Sequence, residues 1–277
     1  MERTIVALRV CAEKIRKRRV EQVRGVATAA CRQASNGAFF LDQVTAETGI
    51  TLNAIDARDE ARLTLAGCSP LMQTGHPHAL LFDIGGGSTE IMWIDSSKFG
   101  SPRLRDMVSL PWGVVTLSEE FGAPEQADQA LSCLTQRIEG DLAAFDRANA
   151  ITSAVNSGAV QMLGTSGTMT TLGALHLGLE RYDRSRVDGL NLDLANVRAH
   201  AAKLFHMDCN AREQLPCIGP GRADLMLMGC AVLGAILQRW PVPTVRVADR
   251  GIREGLIMEM IAADDSRKNT VPNRPAA

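Results

Sequence analysis

The sequence predicts an α/β protein organised in two parts. Short apolar runs of strand length alternate with longer stretches of helical periodicity along most of the chain. A hydrophobic share of 45% and a charged share of 22% are ordinary for a chain that buries a core. A stretch rich in proline, glycine and histidine, Ser69 to Pro77, separates two runs of elements and marks the expected domain boundary. With 277 residues there is room for one large domain or for two smaller ones sharing a cleft.

Taken in order, residues 3–18 read as a helix with Ile5, Leu8, Val10, Cys11 and Ile15 on or near one side. The basic run Lys14 to Arg19 closes it, either as a solvated end suited to the negative helix terminus or as a local attraction for a polyanion. Val23 to Ala27 is a short strand, followed by a turn of small residues from Ala27 to Arg32. Asn36 opens and Gly49 closes a helix carrying Phe39, Phe40 and Val44. Thr51 to Ile55 is the next strand and Arg58 to Gly67 the next helix.

In the second part Ala79 to Ile84 is an apolar run that feeds straight into three glycines. Thr89 to Asp95 and Leu104 to Leu110 supply two more strands, and Trp112 to Phe121 and Gln126 to Ala148 are helical. Val160 to Leu163 is a strand ending in Gly164-Thr165-Ser166-Gly167-Thr168, with a helix from Met169 to about Leu177. Helices follow near 193–206 and 222–239, then a strand from Val245 to Ala248 and a helix from Ile252 to Ala263. The tail, 264–277, has the composition of a disordered segment. The expected domains are 1–70 and 78–263, and the first repeats the element order of the second without its three-strand meander.

A net charge of −1 with one dense basic run argues against nucleic acid as a partner. The seven cysteines form no CxxC pair, the chain opens with no signal peptide, and no apolar run reaches the ~18 residues of a membrane span. A reducing, cytoplasmic compartment without membrane attachment is therefore expected.

Chemistry concentrates at Asp83-Ile84-Gly85-Gly86-Gly87-Ser88-Thr89-Glu90. A strand delivers Asp83 to its carboxyl end, where ligands gather in α/β sheets. Successive glycines let the backbone turn tightly and approach a ligand, their amides form an anion nest, and Ser88 and Thr89 add hydroxyls. Carboxylates beside a phosphate call for a hard cation, so Mg²⁺ at Asp83 and Glu90 is expected. The loop from Gly164 to Thr168 is a second anion site at a helix start, or simply a good N-cap; the two loops are expected to face each other across a cleft. In the first part Glu60, at a helix start, is placed either to favour the helix dipole or to activate water. Arg32 offers a planar fork for phosphate.

The segments VATAACRQASN, DEARL, FDIGGGSTE, LPWGVVTL, GTSGTMTTL, RADLMLMG and VADRGIREGL together resemble the exopolyphosphatase/guanosine pentaphosphate phosphohydrolase (Ppx/GppA) family from about residue 5 to 262. The resemblance implies an actin-like ATPase (ribonuclease H-like) fold with two α/β domains around a cleft. It also implies Mg²⁺-assisted hydrolysis of a terminal phosphoanhydride of inorganic polyphosphate or of the 5′-phosphate of pppGpp. By position Glu60 matches the family's catalytic base and Arg32 its phosphate-contacting arginine. Asp83, Gly85, Gly86, Ser88 and Glu90 match the phosphate loop and its metal-associated acids, and Gly164 to Thr168 a loop lining the cleft. Arg222 and Asp224 match a further signature, for which helix-start packing is an equal reason. Dimerisation is compatible with the family.

Family members begin with a strand and an Asp-Ile/Leu-Gly-Ser/Thr-Asn loop that this chain lacks. An incomplete first domain is therefore expected, with two strands of a five-stranded sheet and an unpaired edge. That leaves open a catalytically impaired polyphosphate- or (p)ppGpp-binding protein, and, more distantly, a small-molecule kinase of the same fold.

Overall fold

A computed structural model describes residues 1–98, 100–121, 127–219 and 221–270, with backbone alone for 127–133 and 267–270. The chain divides into two compact units, Met1–Glu60 and Ala61–Ala277. The division falls inside a helix rather than in the loop at 69–77, because Ala61, Leu65 and Cys68 of that helix are buried with core residues of the second unit.

The first unit contains α1 (Glu2–Lys17), β1 (Gly25–Ala27), α2 (Ala29–Gln33), α3 (Gly37–Thr48), β2 (Leu52–Ala54) and the first turn of α4 (Ala57–Cys68). β1 and β2 form a two-stranded parallel sheet, Gly25 opposite Leu52 and Ala27 opposite Ala54. α1 packs on α3, and an Arg9–Glu47 ion pair joins them at the surface. The buried side of α1 follows Ile5 and Ala12, with Leu8 and Ile15 half-buried, while Val10 and Cys11 point to solvent. The apolar stripe is thus narrower than its composition suggests. The expected small-residue turn before Arg32 is the short helix α2. Gly49 ends α3 at φ 71°, the left-handed conformation a glycine stop accommodates.

The second unit is built on a six-stranded sheet of order β5-β4-β3-β6-β8-β7. β3 (His78–Ile84), β4 (Thr89–Asp95) and β5 (Arg103–Leu110) form an antiparallel meander. β3, β6 (Val160–Thr165) and β8 (Thr244–Ala248) run parallel, and the short β7 (Asn191–Asp193), which the sequence did not announce, pairs antiparallel with β8. This meander followed by parallel strands is the actin-like, ribonuclease H-like arrangement. Between the strands run α5 (Val114–Phe121), α6 (Ala127–Asn149), α7 (Ile151–Asn156), α8 (Ser166–His176), α9 (Arg184–Val187), α10 (Leu194–His206), α11 (Cys209–Glu213) and α12 (Ala223–Arg239). The last helix, α13 (Ile252–Thr270), extends past Ala263 into the expected tail; 271–277, like the expected helix start at Gln126, lie outside the described residues.

Strand alternation sorts the core. Leu80, Phe82, Ile84, Ile91 and Trp93 face one large cluster with α5, α6, α8, α10 and α12. Ala79, Leu81, Met92 and Ile94 face the other, with α4. α12 is apolar on nearly every side and is accordingly enclosed by α5, α6, α8 and α10. Each such fully buried aliphatic or aromatic side chain contributes about 1.5–3 kcal/mol. Beneath this layer Asp146 of α6 is a buried carboxylate. It accepts from Thr152 N (2.6 Å), Thr152 Oγ1 (2.9 Å), Trp240 Nε1 (3.1 Å) and Arg239 Nη2. The six described cysteines are unbridged, and burial pushes the Cys230 thiol up to about 12. Among the described residues no helix is long and apolar enough to cross a membrane.

Candidate phosphate site

The carboxyl ends of β3, β6 and β8 share one edge of the sheet, and the predicted loops leave from it. The turn from β3 to β4 closes with Gly85 N donating to Ser88 O (2.9 Å). None of Gly85, Gly86 and Gly87 takes a positive φ, so handedness is not what requires glycine here. Close approach is the physical reason. The turn's carbonyls point at the start of α5: Val114 N donates to Gly85 O and Val115 N to Gly86 O, both at 2.9 Å. The segment LPWGVVTL is thereby a buttress, with its Gly113 packed on the Gly86–Gly87 peptide. With the carbonyls fixed this way, the amides of Gly86 and Gly87 have no hydrogen-bond acceptor among the described residues, as an anion nest requires.

The second loop is not a loop. Gly164 and Thr165 end β6 and Ser166 begins α8 at once, with Ser166 at φ 79°, an uncommon conformation for a residue with a side chain. Ser166 and Gly167 form the first turn of α8, a helix end without a side-chain cap and with the positive pole outward. Both turns border one cavity of about 110 Å³, lined by Ile84, Gly85 and Gly86, by Ser166, Gly167 and Thr168, and by Arg222 ahead of α12. The two loops therefore meet within the second unit. Arg222 lies over Gly167, where an added Cβ would come within 2.9 Å of Nη2, and its Nη2 is 3.5 Å from Thr171 Oγ1. The sequence left Arg222 equally between a family signature and helix-start packing; its signal was RADLMLMG, a charged pair heading an otherwise apolar helix.

Several of the predicted phosphate-site residues also make contacts within the protein. The Thr89 hydroxyl, fully buried, donates to Trp112 O (2.6 Å) and fastens the buttress. Gly164 is buried against Phe82, whose ring an added Cβ would meet at 2.4 Å. The Thr165 hydroxyl donates to Arg250 O, and Arg250 Nε is in turn held by Asp188 at 2.7 Å. Thr168 borders the cavity, but its side chain is buried against Gly229 of α12. Ser88 is also buried. Gly85, Gly86, Ser166 and Gly167 remain at the cavity wall, with Gly87 beside them in the turn.

The two predicted metal acids stand opposite each other in register on β3 and β4, on the Leu81–Met92 side of the sheet. They belong to a row across the sheet: Ser109, Glu90, Asp83 and Thr165. Glu90 is 2% exposed and accepts from Ser109 Oγ (2.8 Å). Burial, and next the Asp83 carboxylate, push the Cys68 thiol up, which places the Asp83 charge beside α4. Two carboxylates among hydroxyls suit a hard cation that keeps most of its waters. Among the described residues no three His, Cys, Asp or Glu side chains group into a fuller metal site.

In the first unit Asp56 opens α4, its Oδ1 accepting from Asp59 N (2.7 Å). That fixes Glu60 on the helix's first turns, 7% exposed. Arg32 Nη1 donates to Glu60 Oε2 (2.9 Å) and to Ile55 O (2.7 Å), so the fork from α2 and the carboxylate from α4 are joined as a pair.

The Ppx/GppA phosphatase family model matches residues 1–263. The chain belongs to that family. Among relatives, this Ppx/GppA chain is 26% identical over 271 residues to a bifunctional 3-dehydroquinate synthase/phosphatase of Fusobacterium nucleatum, covering 94% of the chain and 38% of the relative's length. The Aquifex aeolicus Ppx/GppA family member superposes with a TM-score of 0.76 at 26% identity, over 95% of this chain and 81% of that one. An exopolyphosphatase-like protein superposes with a TM-score of 0.84, also at 26% identity, over 94% of this chain and 81% of that one. The Ppx/GppA fold is thus shared across nearly the whole chain.

Proposed function

We propose that this chain binds a phosphoanhydride substrate, inorganic polyphosphate or guanosine pentaphosphate, and hydrolyses its terminal phosphate with Mg²⁺. The observation that carries the proposal is the convergence of the glycine turn, the start of α8 and Arg222 on one small cavity. Backbone amides, a helix N-terminus and a guanidinium share one preference, the oxygens of an anion. Membership of a phosphatase family supports turning that grip into hydrolysis.

Phosphoryl transfer asks chiefly for positioning and charge compensation. In this reading the amides of Gly86 and Gly87 and the first turn of α8 hold phosphoryl oxygens, and Arg222 adds a positive charge. Arg32 orients a phosphoryl group and Glu60 accepts the proton of the attacking water, roles that rest on their match to the family's residues. Asp83 and Glu90 would hold Mg²⁺, which would neutralise charge on the phosphate oxygens.

Phosphate release from polyphosphate and from pppGpp, with and without Mg²⁺, tests the proposal. Mg²⁺-dependent release from either substrate is the expected result. Binding without release would leave the chain a binding protein, and neither binding nor release would overturn the reading.

A further inference from the structure

A second cavity of about 140 Å³ opens at the other end of the six-stranded sheet, where β6 and β8 begin. The length of β6, roughly 17 Å at about 3.3 Å per residue, separates it from the glycine turn. Its polar lining is Gln73, His76, Gln161, Asn191, Thr244 and Arg246, and among the described residues no carboxylate borders it.

The charge here is unbalanced. Arg246 Nε donates to Asn191 Oδ1 (3.0 Å) and Nη1 to Leu71 O (3.1 Å), both neutral acceptors that fix the orientation of the guanidinium. Arg32, Arg212, Arg239 and Arg250 each pair with a carboxylate, whereas Arg246 forms no ion pair among the described residues. A guanidinium cannot shed its charge, so the half-buried Arg246 leaves a full positive charge at the cavity. His76 adds a second observation. Its Nδ1 is buried and has no hydrogen-bond partner among the described residues, a deficit that native structures ordinarily meet with a water or ligand. The wall is rigid: Gln161, 8% exposed, accepts from Gln73 N (2.8 Å) and donates to Gln73 O (2.9 Å), clipping the loop to β6.

We propose that this cavity binds a small oxyanion, a phosphate or carboxylate group, held by the Arg246 fork with His76 as a second donor. The volume is well below the ~300 Å³ of pockets that enclose drug-sized ligands, which limits the occupant to a small anion or a single head group. The site is separate from the phosphate cavity at the carboxyl edge and does not rest on the hydrolase reading.

Equilibrium dialysis of the full chain with radiolabelled inorganic phosphate, and in parallel with radiolabelled acetate, tests this. Arg222→Gln serves as the background, so the readout is the difference made by adding Arg246→Gln. One of the two anions should bind, and Arg246→Gln should weaken it about tenfold to a hundredfold, the effect of a lost charge-assisted hydrogen bond. His76→Phe should weaken the same anion. The anion that binds identifies the source, phosphate or carboxylate. Circular dichroism checks folding; should Arg246→Gln misfold, Arg246→Lys, which keeps the charge and loses the fork, decides together with His76→Phe. Binding of both anions unchanged in the folded variants, or no binding of either to the wild type, would overturn the proposal.

Discussion

Gly113 stands against the peptide joining Gly86 to Gly87, so close that an added Cβ would lie 2.2 Å from the Gly86 oxygen and 2.4 Å from the Gly87 nitrogen. Both partners are backbone and neither has a flexible end to move aside. Gly113→Ala therefore displaces either the start of α5 or the glycine turn. A loss of about 2 kcal/mol or more is expected in urea unfolding, the upper part of the range for overpacking. Phosphate affinity should fall in whatever fraction folds, and unaltered affinity at native stability would contradict the buttress.

Glu60→Gln keeps the shape of the side chain and a hydrogen-bonding group toward Arg32, and removes the basic oxygen. Substrate binding should persist while hydrolysis falls by about 10²–10⁴-fold, the usual contribution of a general base. A phosphate-release rate equal to wild type would dismiss Glu60 as the base.

Arg222→Gln removes the only guanidinium that borders the phosphate cavity among the described residues and leaves α12 capped as before, since Arg222 makes no side-chain cap bond there. The expected effect is a rise in the phosphate or polyphosphate dissociation constant of about tenfold to a hundredfold. Thermal stability should be nearly unchanged. The opposite pattern, lost stability with intact affinity, would mark Arg222 as a packing residue.

Asp146 predicts a pH effect on stability. Burial by itself raises its pKa, but the bonds from Thr152, Trp240 and Arg239 outweigh that and hold the carboxyl below its ordinary value. A carboxyl with a depressed folded pKa contributes stability that is present above the unfolded value of about 3.9 and is lost as pH falls through the folded one. Urea midpoints should decline below about pH 4 and be less pH-sensitive in Asp146→Asn. The substitution should also cost about 3 kcal/mol near neutrality, because Arg239 loses its partner. Equal acid sensitivity of the variant and the wild type would disprove the assignment.

Much of the fold was legible because its signals are local. Apolar runs of strand length gave the meander and the parallel strands, and helical periodicity placed a helix near 222–239, which is α12. The position of the glycine turn was equally plain from Gly85-Gly86-Gly87 behind a strand. The helix boundary of α8 was not, since Gly164 and Thr165 look like loop residues until β8 and Phe82 are seen packed on them.

Sequence alone determined the α/β class, the order of the principal elements and the family, and it singled out Gly85-Gly86-Gly87 as the expected anion site. Tertiary structure decided which partners the small polar residues there meet. Thr89 is occupied by Trp112, Thr165 by Arg250 and Gly164 by Phe82, whereas Arg222 is brought over Gly167. The physical reason is separation along the chain. A period or a turn preference is set within a few residues, but a hydroxyl's acceptor or a guanidinium's neighbour is supplied by a segment 23 to 85 residues away, and only packing brings it there.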